Sequence, residues 1–259
     1  MTQKPAKNPV GTLEKAFSIV ETVSRERGTT IDELDRQLPY AKSTIHRHLS
    51  TLRQEGYVIK NGFVYDISYK FFDVASYRRE YDPLYQIGRS ITDETSNRAQ
   101  ERTSLIVEER SRAVKCYISE SEQSVVTDAH PGLSMYMHCV SGGKAILAHL
   151  SEERVKAVVD AVGLPKMTDN TITDREQLLS ELRDVRESGV AVDDQERITG
   201  IRGVAAPVID DRTDEVLGSI DITGPTTRVE GEKFRSDLPD LARRAAAEIA
   251  NNIHYLRDH

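Results

Sequence analysis

The chain has 259 residues, 38% of them hydrophobic, and a formal net charge of −7. No apolar run approaches the roughly 18 residues a membrane-spanning helix needs, and the polar opening MTQKPAKNPV lacks the apolar core of a secretory signal. A soluble cytoplasmic protein without membrane association is therefore expected. Its two cysteines, Cys116 and Cys139, have no CxxC spacing and are too few for a disulfide framework.

The charge is unevenly divided. Residues 1–60 hold ten Lys/Arg against seven Asp/Glu, a net of +3, and the remainder is −10. A basic head on an acidic body predicts two modules with different partners.

From Thr12, TLEKAFSIVETVSRER places Leu13, Phe17 and Val20, flanked by Ala16 and Val23, at helical spacing. Thr12 is the candidate N-cap and Gly28 the stop. TIDELDRQL then offers Thr30 and Glu33 as a capping box, and Pro39 breaks it. A third helix is predicted over residues 41–54, closed by Gly56. YVIKNGFVYDI alternates about Asn61-Gly62, the signature of a type I′ hairpin. Three short helices and a hairpin, in this order, spell a winged helix-turn-helix over residues 1–68.

Residues 69–100 read as two linker helices broken at Asp82-Pro83. Residues 101–259 form the second module. TSLIVEE, AVKCYIS and SVVTDA read as strands. Helices follow in SGGKAILAHLSEERVKAVVDAVG, with Ser151 as an internal cap, and in TDREQLLSELRDVRESG, with Thr173 and Glu176 as a capping box. RGVAAPVID and EVLGSIDITG are buried-looking strands about the turn DRTD, and LPDLARRAAAEIANNIHYL closes the chain as an amphipathic helix. The fold class is mixed α+β around one sheet.

The stretch AKSTIHRHLS decides what the first module does. On a helix turning about 100° per residue, Ile45, Leu49 and Leu52 form the stripe that faces its neighbours. Ser43, Arg47, Ser50 and Gln54 lie opposite, with Thr44 and Thr51 on a shoulder. His46 and His48 project about 200° apart and cannot share a metal ion within the helix. No acid is placed to orient either imidazole for catalysis. The outward face carries hydroxyls and an arginine, with no carboxylate before Glu55, so it can enter a groove of negative potential. The expected DNA-reading residues are Lys42, Ser43, Thr44, His46, Arg47, Ser50 and Thr51, with Lys60 and Asn61 from the wing.

LPYAKSTIHRHLSTLRQEGYV resembles the helix-turn-helix of the IclR (isocitrate lyase regulator) family. MHCVSGGKAILA, SGVAVDDQE, GVAAPVID and GSIDITGP follow in that family's order, so the resemblance covers nearly the whole chain from Thr12. It implies a winged N-domain, a linker helix and a GAF-like C-domain that binds a small effector. The partners it implies are double-stranded operator DNA, the effector and a second copy of the chain, a homodimer that can pair into a tetramer. Carried over by position, the effector-binding residues are Met137, Cys139, Ser141, Gly142, Asp193, Glu196, Gly203, Asp221 and Thr223. Two positions depart from the pattern: relatives often have serine at the position of Asp221 and cysteine or a similar small residue at Gly203. A buried carboxylate repels an anionic effector unless a cation offsets it, but it bonds the hydroxyls of a sugar. A sugar or sugar acid is therefore favoured over a simple organic acid. Arg202 is near in sequence, but strand alternation points it away.

SGGKA is not a phosphate loop, because His138 and Ala145 stand where the Walker pattern needs Gly and Ser/Thr. The glycine pair either turns the chain into a helix whose amides hold an anion or packs that helix on the sheet. The alternative function is a metal-responsive sensor using His130, His138, Cys139 and Cys116, weakened because neighbours on a strand face opposite sides. No cofactor is implied. No nucleophile–base pair or paired carboxylates indicate an enzyme.

Overall fold

The computed structural model describes residues 7–258; the opening residues 1–6, which belong to the segment read above as no secretory signal, lie outside them. The chain divides into two compact units, one ending at Tyr81 and the other beginning at Asp82. No helix among the described residues is long and apolar enough to cross a membrane.

The first unit contains α1 (Gly11–Arg25), β1 (Thr29–Thr30), α2 (Ile31–Gln37), α3 (Lys42–Gln54), β2 (Val58–Asn61), β3 (Val64–Ile67) and α4 (Lys70–Tyr81). Its three strands pair antiparallel in the order β1-β3-β2. Ile19, Val23, Leu34, Ile45, Leu49, Val58 and Tyr65 form one core beneath the helices and hairpin. The capping box stands as expected: Thr30 Oγ1 accepts from the Glu33 amide at 3.3 Å, and Glu33 accepts from the Thr30 amide at 2.7 Å.

Three local expectations change. The stripe of α1 is rotated about a third of a turn, so Ile19, Thr22 and Val23 are buried while Leu13 and Phe17 are more than half exposed. Apolar residues occupy two adjacent faces of α1, and periodicity alone cannot say which meets the core. The residue before α1 is Val10, which makes no side-chain cap, so Thr12 is already inside the helix. In the wing, Asn61 still pairs with Val64, leaving Gly62 and Phe63 as the central residues. Gly62 takes a φ of +60° and Phe63 is not left-handed. This meets the type II′ requirement of glycine at the first central position, not type I′.

The second unit runs α5 (Pro83–Ala99), β4 (Arg102–Glu109), β5 (Arg112–Ser119), β6 (Ser134–Met135), a 3-10 turn (Met137–Cys139), α6 (Ser141–Leu147), α7 (Glu152–Val162), α8 (Arg175–Ser188), β7 (Ala191–Asp194), β8 (Ile201–Asp210), β9 (Glu215–Pro225), a short π segment (Lys233–Asp237) and α9 (Leu238–Asp258). Six antiparallel strands form one sheet in the order β6-β5-β4-β9-β8-β7. The mixed α+β class is as expected.

Strand alternation separates the two faces of this sheet. Val204, Ala206, Val208, Ile220 and Ile222 pack with α5 and α9. Ile106, Ala113 and Ala205 pack with α6, α7 and α8. Ser219 and Asp221 alternate with the first set on β9 and so face the α6 side, where Ser219 donates to the Gly142 carbonyl at 3.0 Å.

Asp82 caps α5 ahead of Pro83, and Ser151 caps α7. The cap of α8 is Asp174, which accepts from the Gln177 amide at 2.9 Å, so Thr173 lies one residue outside. The expected strand SVVTDA is irregular coil. It pairs with no strand; instead Arg102 bonds its Val125 carbonyl and Thr127 hydroxyl, and Arg197 its Asp128 carboxylate.

Candidate functional site

In the first unit, α3 turns Ile45 and Leu49 fully inward. Lys42, Ser43, His46, Arg47, Ser50 and Thr51 are exposed on the remaining surface, with Thr44 half-buried, and Lys60 and Asn61 are exposed on the wing. No acid occupies the first turn of α3. Lys42 is partly committed, because its ammonium pairs with Asp32 of α2. Thr51 donates to the Arg47 carbonyl at 3.2 Å. The two histidines separate as the helical angle requires: His46 is exposed, while His48 Nδ1 lies 2.8 Å from the Thr44 carbonyl within its own helix.

In the second unit, residues of β4, β5, β7, β8, β9 and the start of α6 line a cavity of about 40 Å³. Its centre is ionic. Lys115 Nζ lies 3.1 Å from Asp221 Oδ2 and donates to Ser104 Oγ at 3.0 Å. Ser141 donates to the other Asp221 oxygen. Arg102 adds a second cation, bonding Glu120 at 2.8 Å, Thr127 Oγ1 at 2.5 Å and the Val125 carbonyl at 2.7 Å. Arg197 adds a third and pairs with Asp128. These two arginines thus clamp the coil of residues 120–129 against the cavity.

Ser141, Asp193, Asp221 and Thr223 line this cavity, as expected for four of the nine carried-over positions. Asp193 accepts from the Glu196 amide at 2.6 Å. Burial dominates its environment and pushes its carboxyl up to about 7, with the nearby Glu196 and Asp221 charges adding to the effect and the amide bond and Lys144 opposing it.

The other five do not line it. Met137 and Cys139 belong to the apolar core against α6–α8, and burial, aided by Asp193, pushes the Cys139 thiol up to about 12. Gly142 and Gly143 are packing positions. A Cβ at Gly142 would lie 2.5 Å from Ile106 Cδ1, and one at Gly143 only 2.3 Å from the Met137 carbonyl oxygen. Gly203 is where Ser141 approaches, since a Cβ there would sit 2.4 Å from Ser141 Oγ. Glu196 bonds the fully buried Lys144 at 2.5 Å, and Glu181 completes that pair at 3.0 Å. Burial opposes the Lys144 charge, but the two carboxylates outweigh it and hold its pKa above the usual lysine value.

The metal-sensor alternative gains no support. His138 Nε2 faces the Pro165 carbonyl at 3.2 Å, Cys139 donates to the Tyr136 carbonyl, and His130 is exposed. Among the described residues no three His, Cys, Asp or Glu side chains are placed to hold a metal ion.

Sequence reading missed Arg102, Lys115, Thr127 and Arg197. Lys115 was findable: it shares an inward face of β5 with Ala113, and a lysine in such a slot signals a buried partner. Arg202 does point away, pairing with Asp194 at 2.7 Å and stacking 4.9 Å from the Phe234 ring centroid.

A winged helix-turn-helix whose third helix has no acid in its first turn, in one chain with an α+β unit that carries a charged cavity, defines a transcription regulator with a ligand-binding domain. The chain belongs to the IclR family of transcriptional regulators. Residues 12–62 match the IclR helix-turn-helix domain and residues 81–251 the C-terminal domain of bacterial transcriptional regulator IclR. The chain is 33% identical over 235 residues to the probable HTH-type transcriptional regulator ArcR of Halobacterium salinarum, covering 89% of each. It is 28% identical over 248 residues to the HTH-type transcriptional regulator KdgR of Escherichia coli, covering 95% and 94%. The crystal structure of Thermotoga maritima IclR matches with a TM-score of 0.79 at 25% identity, over 94% of this chain and 98% of that one. An IclR homolog of Microbacterium hydrocarbonoxydans complexed with 4-hydroxybenzoate shares the fold, with a TM-score of 0.80 at 20% identity over 94% and 99%. These relatives are regulators, not enzymes.

Proposed function

We propose that this regulator binds operator DNA through α3 and the wing, and that a small organic anion bearing hydroxyls sets its affinity from the Lys115–Asp221 cavity. The observation that carries this reading is the composition of that cavity: Arg102, Lys115 and Arg197 against Asp193 and Asp221, with Ser141, Thr127 and Thr223 hydroxyls between them. Lys115 supplies the cation that offsets Asp221, so a carboxylate ligand is admitted. Asp193 and Asp221 accept from hydroxyls, which distinguishes a sugar acid from a plain acid. An aromatic hydroxy acid, the class held by the Microbacterium homolog, shares the anion but offers fewer hydroxyl donors.

The cavity has room for little more than a few waters. Ligand entry therefore requires the coil of residues 120–129 to move, with the incoming carboxylate replacing Glu120 on Arg102 or Asp128 on Arg197. The chain acts in the cytoplasm as a homodimer. Exposed apolar side chains on α1 (Leu13, Phe17) and α4 (Phe72, Val74, Tyr77) support this, because a surface this apolar marks a protein contact. A ligand that prefers one dimer arrangement shifts operator affinity by linkage.

The test is a thermal-shift screen of gluconate, galactonate, glucitol and 4-hydroxybenzoate. Sugar acids are expected to stabilise the protein and glucitol to have little effect, since binding to the native state raises stability by mass action. The shift should vanish in Lys115→Met. Equal shifts in both proteins would remove the cavity as the site.

A further inference from the structure

The wing ends in a side chain that its own fold does not require. Phe63 is 85% exposed at the second central position of the Gly62-Phe63 turn, flanked by Ile59 and Val64, each over two-fifths exposed. A type II′ turn needs glycine at its first central position and makes no demand for an aromatic at its second. With Ile59 and Val64 it makes an exposed apolar group on the wing, and apolar patches, unlike single exposed side chains, mark contact surfaces. The group therefore points to a contact made by the tip.

The chemistry around the tip selects the partner. The segment from Lys60 to Val64 contains a cation, an amide and three uncharged residues, with no acid. The Lys60 ammonium lies 5.0 Å from the Tyr65 ring centroid, which braces it along the wing. A tip with one cation and no carboxylate suits a polyanion. The two-residue turn is short and Asn61 is paired with Val64, so the phenyl is carried on an ordered ladder instead of a loose loop. An apolar side chain set beside phosphate-binding groups is the equipment of proteins that wedge between base steps from the minor groove. The other exposed apolar groups of this unit lie on α1 and α4 or just before them, as Val10 and the still more exposed Tyr69 do, not on the wing.

Resting on the reading that α3 and the wing bind operator DNA, we propose that Phe63 is an apolar wedge that enters the minor groove beside the α3 contact and partly unstacks one base step. The partner is duplex DNA with a deformable pyrimidine–purine step at that place, so Phe63 reads sequence through the energy of distortion, not through base edges. Lys60 and Asn61 hold the flanking phosphates.

The experiment uses the full chain and duplexes it selects from a random pool. 2-Aminopurine is placed at the pyrimidine–purine steps flanking the selected motif, and end-to-end energy transfer reports bending. The wild type should raise 2-aminopurine fluorescence at one flanking step and shorten the end-to-end distance. Phe63→Ala should lose both signals and bind about tenfold more weakly, the scale of one lost aromatic–base contact. Phe63→Leu, still apolar, should keep most of both, and Lys60→Ala should weaken binding while keeping the fluorescence signal. Because Phe63 is exposed, both Phe63 variants should unfold at the wild-type temperature. The proposal is overturned if Phe63→Ala retains wild-type affinity, fluorescence and bend. It is equally overturned if Phe63→Ala leaves those unchanged per bound protein but lowers the oligomer mass by light scattering, which would make Phe63 a contact between copies.

Discussion

Lys115 on β5 and Asp221 on β9 form an ion pair at 3.1 Å across β4, with both side chains no more than 6% exposed. Both charges are withdrawn from bulk solvent, so each depends chiefly on the other and on the Ser104 and Ser141 hydroxyls. Removing one partner strands the other, which costs about 3–5 kcal/mol, whereas replacing both with apolar groups is close to neutral. In urea denaturation, Lys115→Met and Asp221→Leu should each be strongly destabilised and the double variant should recover most of the loss. Additive losses in the double variant would show that the two charges do not depend on each other.

Asp193 gives the cavity a pH dependence near neutrality. Its carboxyl titrates at about 7 in the folded protein, well above the ordinary 3.8. Between those values the native state holds a proton that the unfolded chain has released, so this group's stabilising contribution is full below about pH 4. It is lost as pH rises to 7. The loss is on the order of 4 kcal/mol. The stability difference between wild type and Asp193→Asn should therefore change across pH 4–7, with the variant the more stable above pH 7. A pH-independent difference would mean that Asp193 ionises normally.

The packing role of the glycine pair is separable from any anion-binding role. Gly143→Ala should lower stability by about 1–3 kcal/mol, the usual cost of forcing a methyl into a packed site, because the Met137 backbone blocks it. Calorimetry on the ligand-free protein measures this. A wild-type melting temperature would contradict the packing assignment.

On α3, exposure and pairing rank the cations differently. Arg47→Ala should weaken operator binding by roughly 1–3 kcal/mol if its guanidinium bonds a base edge. Lys42→Ala should matter less, because Lys42 is already paired with Asp32. Anisotropy titrations with a selected duplex compare the two, and an unchanged Arg47→Ala would remove it as a reader.

What was legible in the sequence was local. Thr30 and Glu33 announce α2 because both halves of the box lie within one turn, and Asp82-Pro83 announces α5 for the same reason. The face of α1 was not legible, since Leu13–Phe17 and Ile19–Val23 are equally apolar and only the packed neighbours choose between them. SVVTDA has strand composition, yet it joins no ladder, and its Val125 carbonyl bonds Arg102, a side chain more than 20 residues away. The cavity divides along the same line. Asp221 and Ser141 sit in family motifs, and Lys115 shows as an alternation anomaly. Arg102 and Arg197 become neighbours only when β4, β8 and β9 pair.

The central claim, that the Lys115–Asp221 cavity governs DNA binding, is tested most directly by operator affinity with and without ligand. A fluorescein-labelled duplex selected by the protein is titrated in anisotropy at fixed salt, with and without saturating galactonate or gluconate. The account predicts at least a fivefold change in affinity in the wild type, the lower end of ordinary allosteric coupling, and none in Lys115→Met at the same duplex. A sugar acid that changes operator affinity equally in both proteins, or in neither, would contradict it.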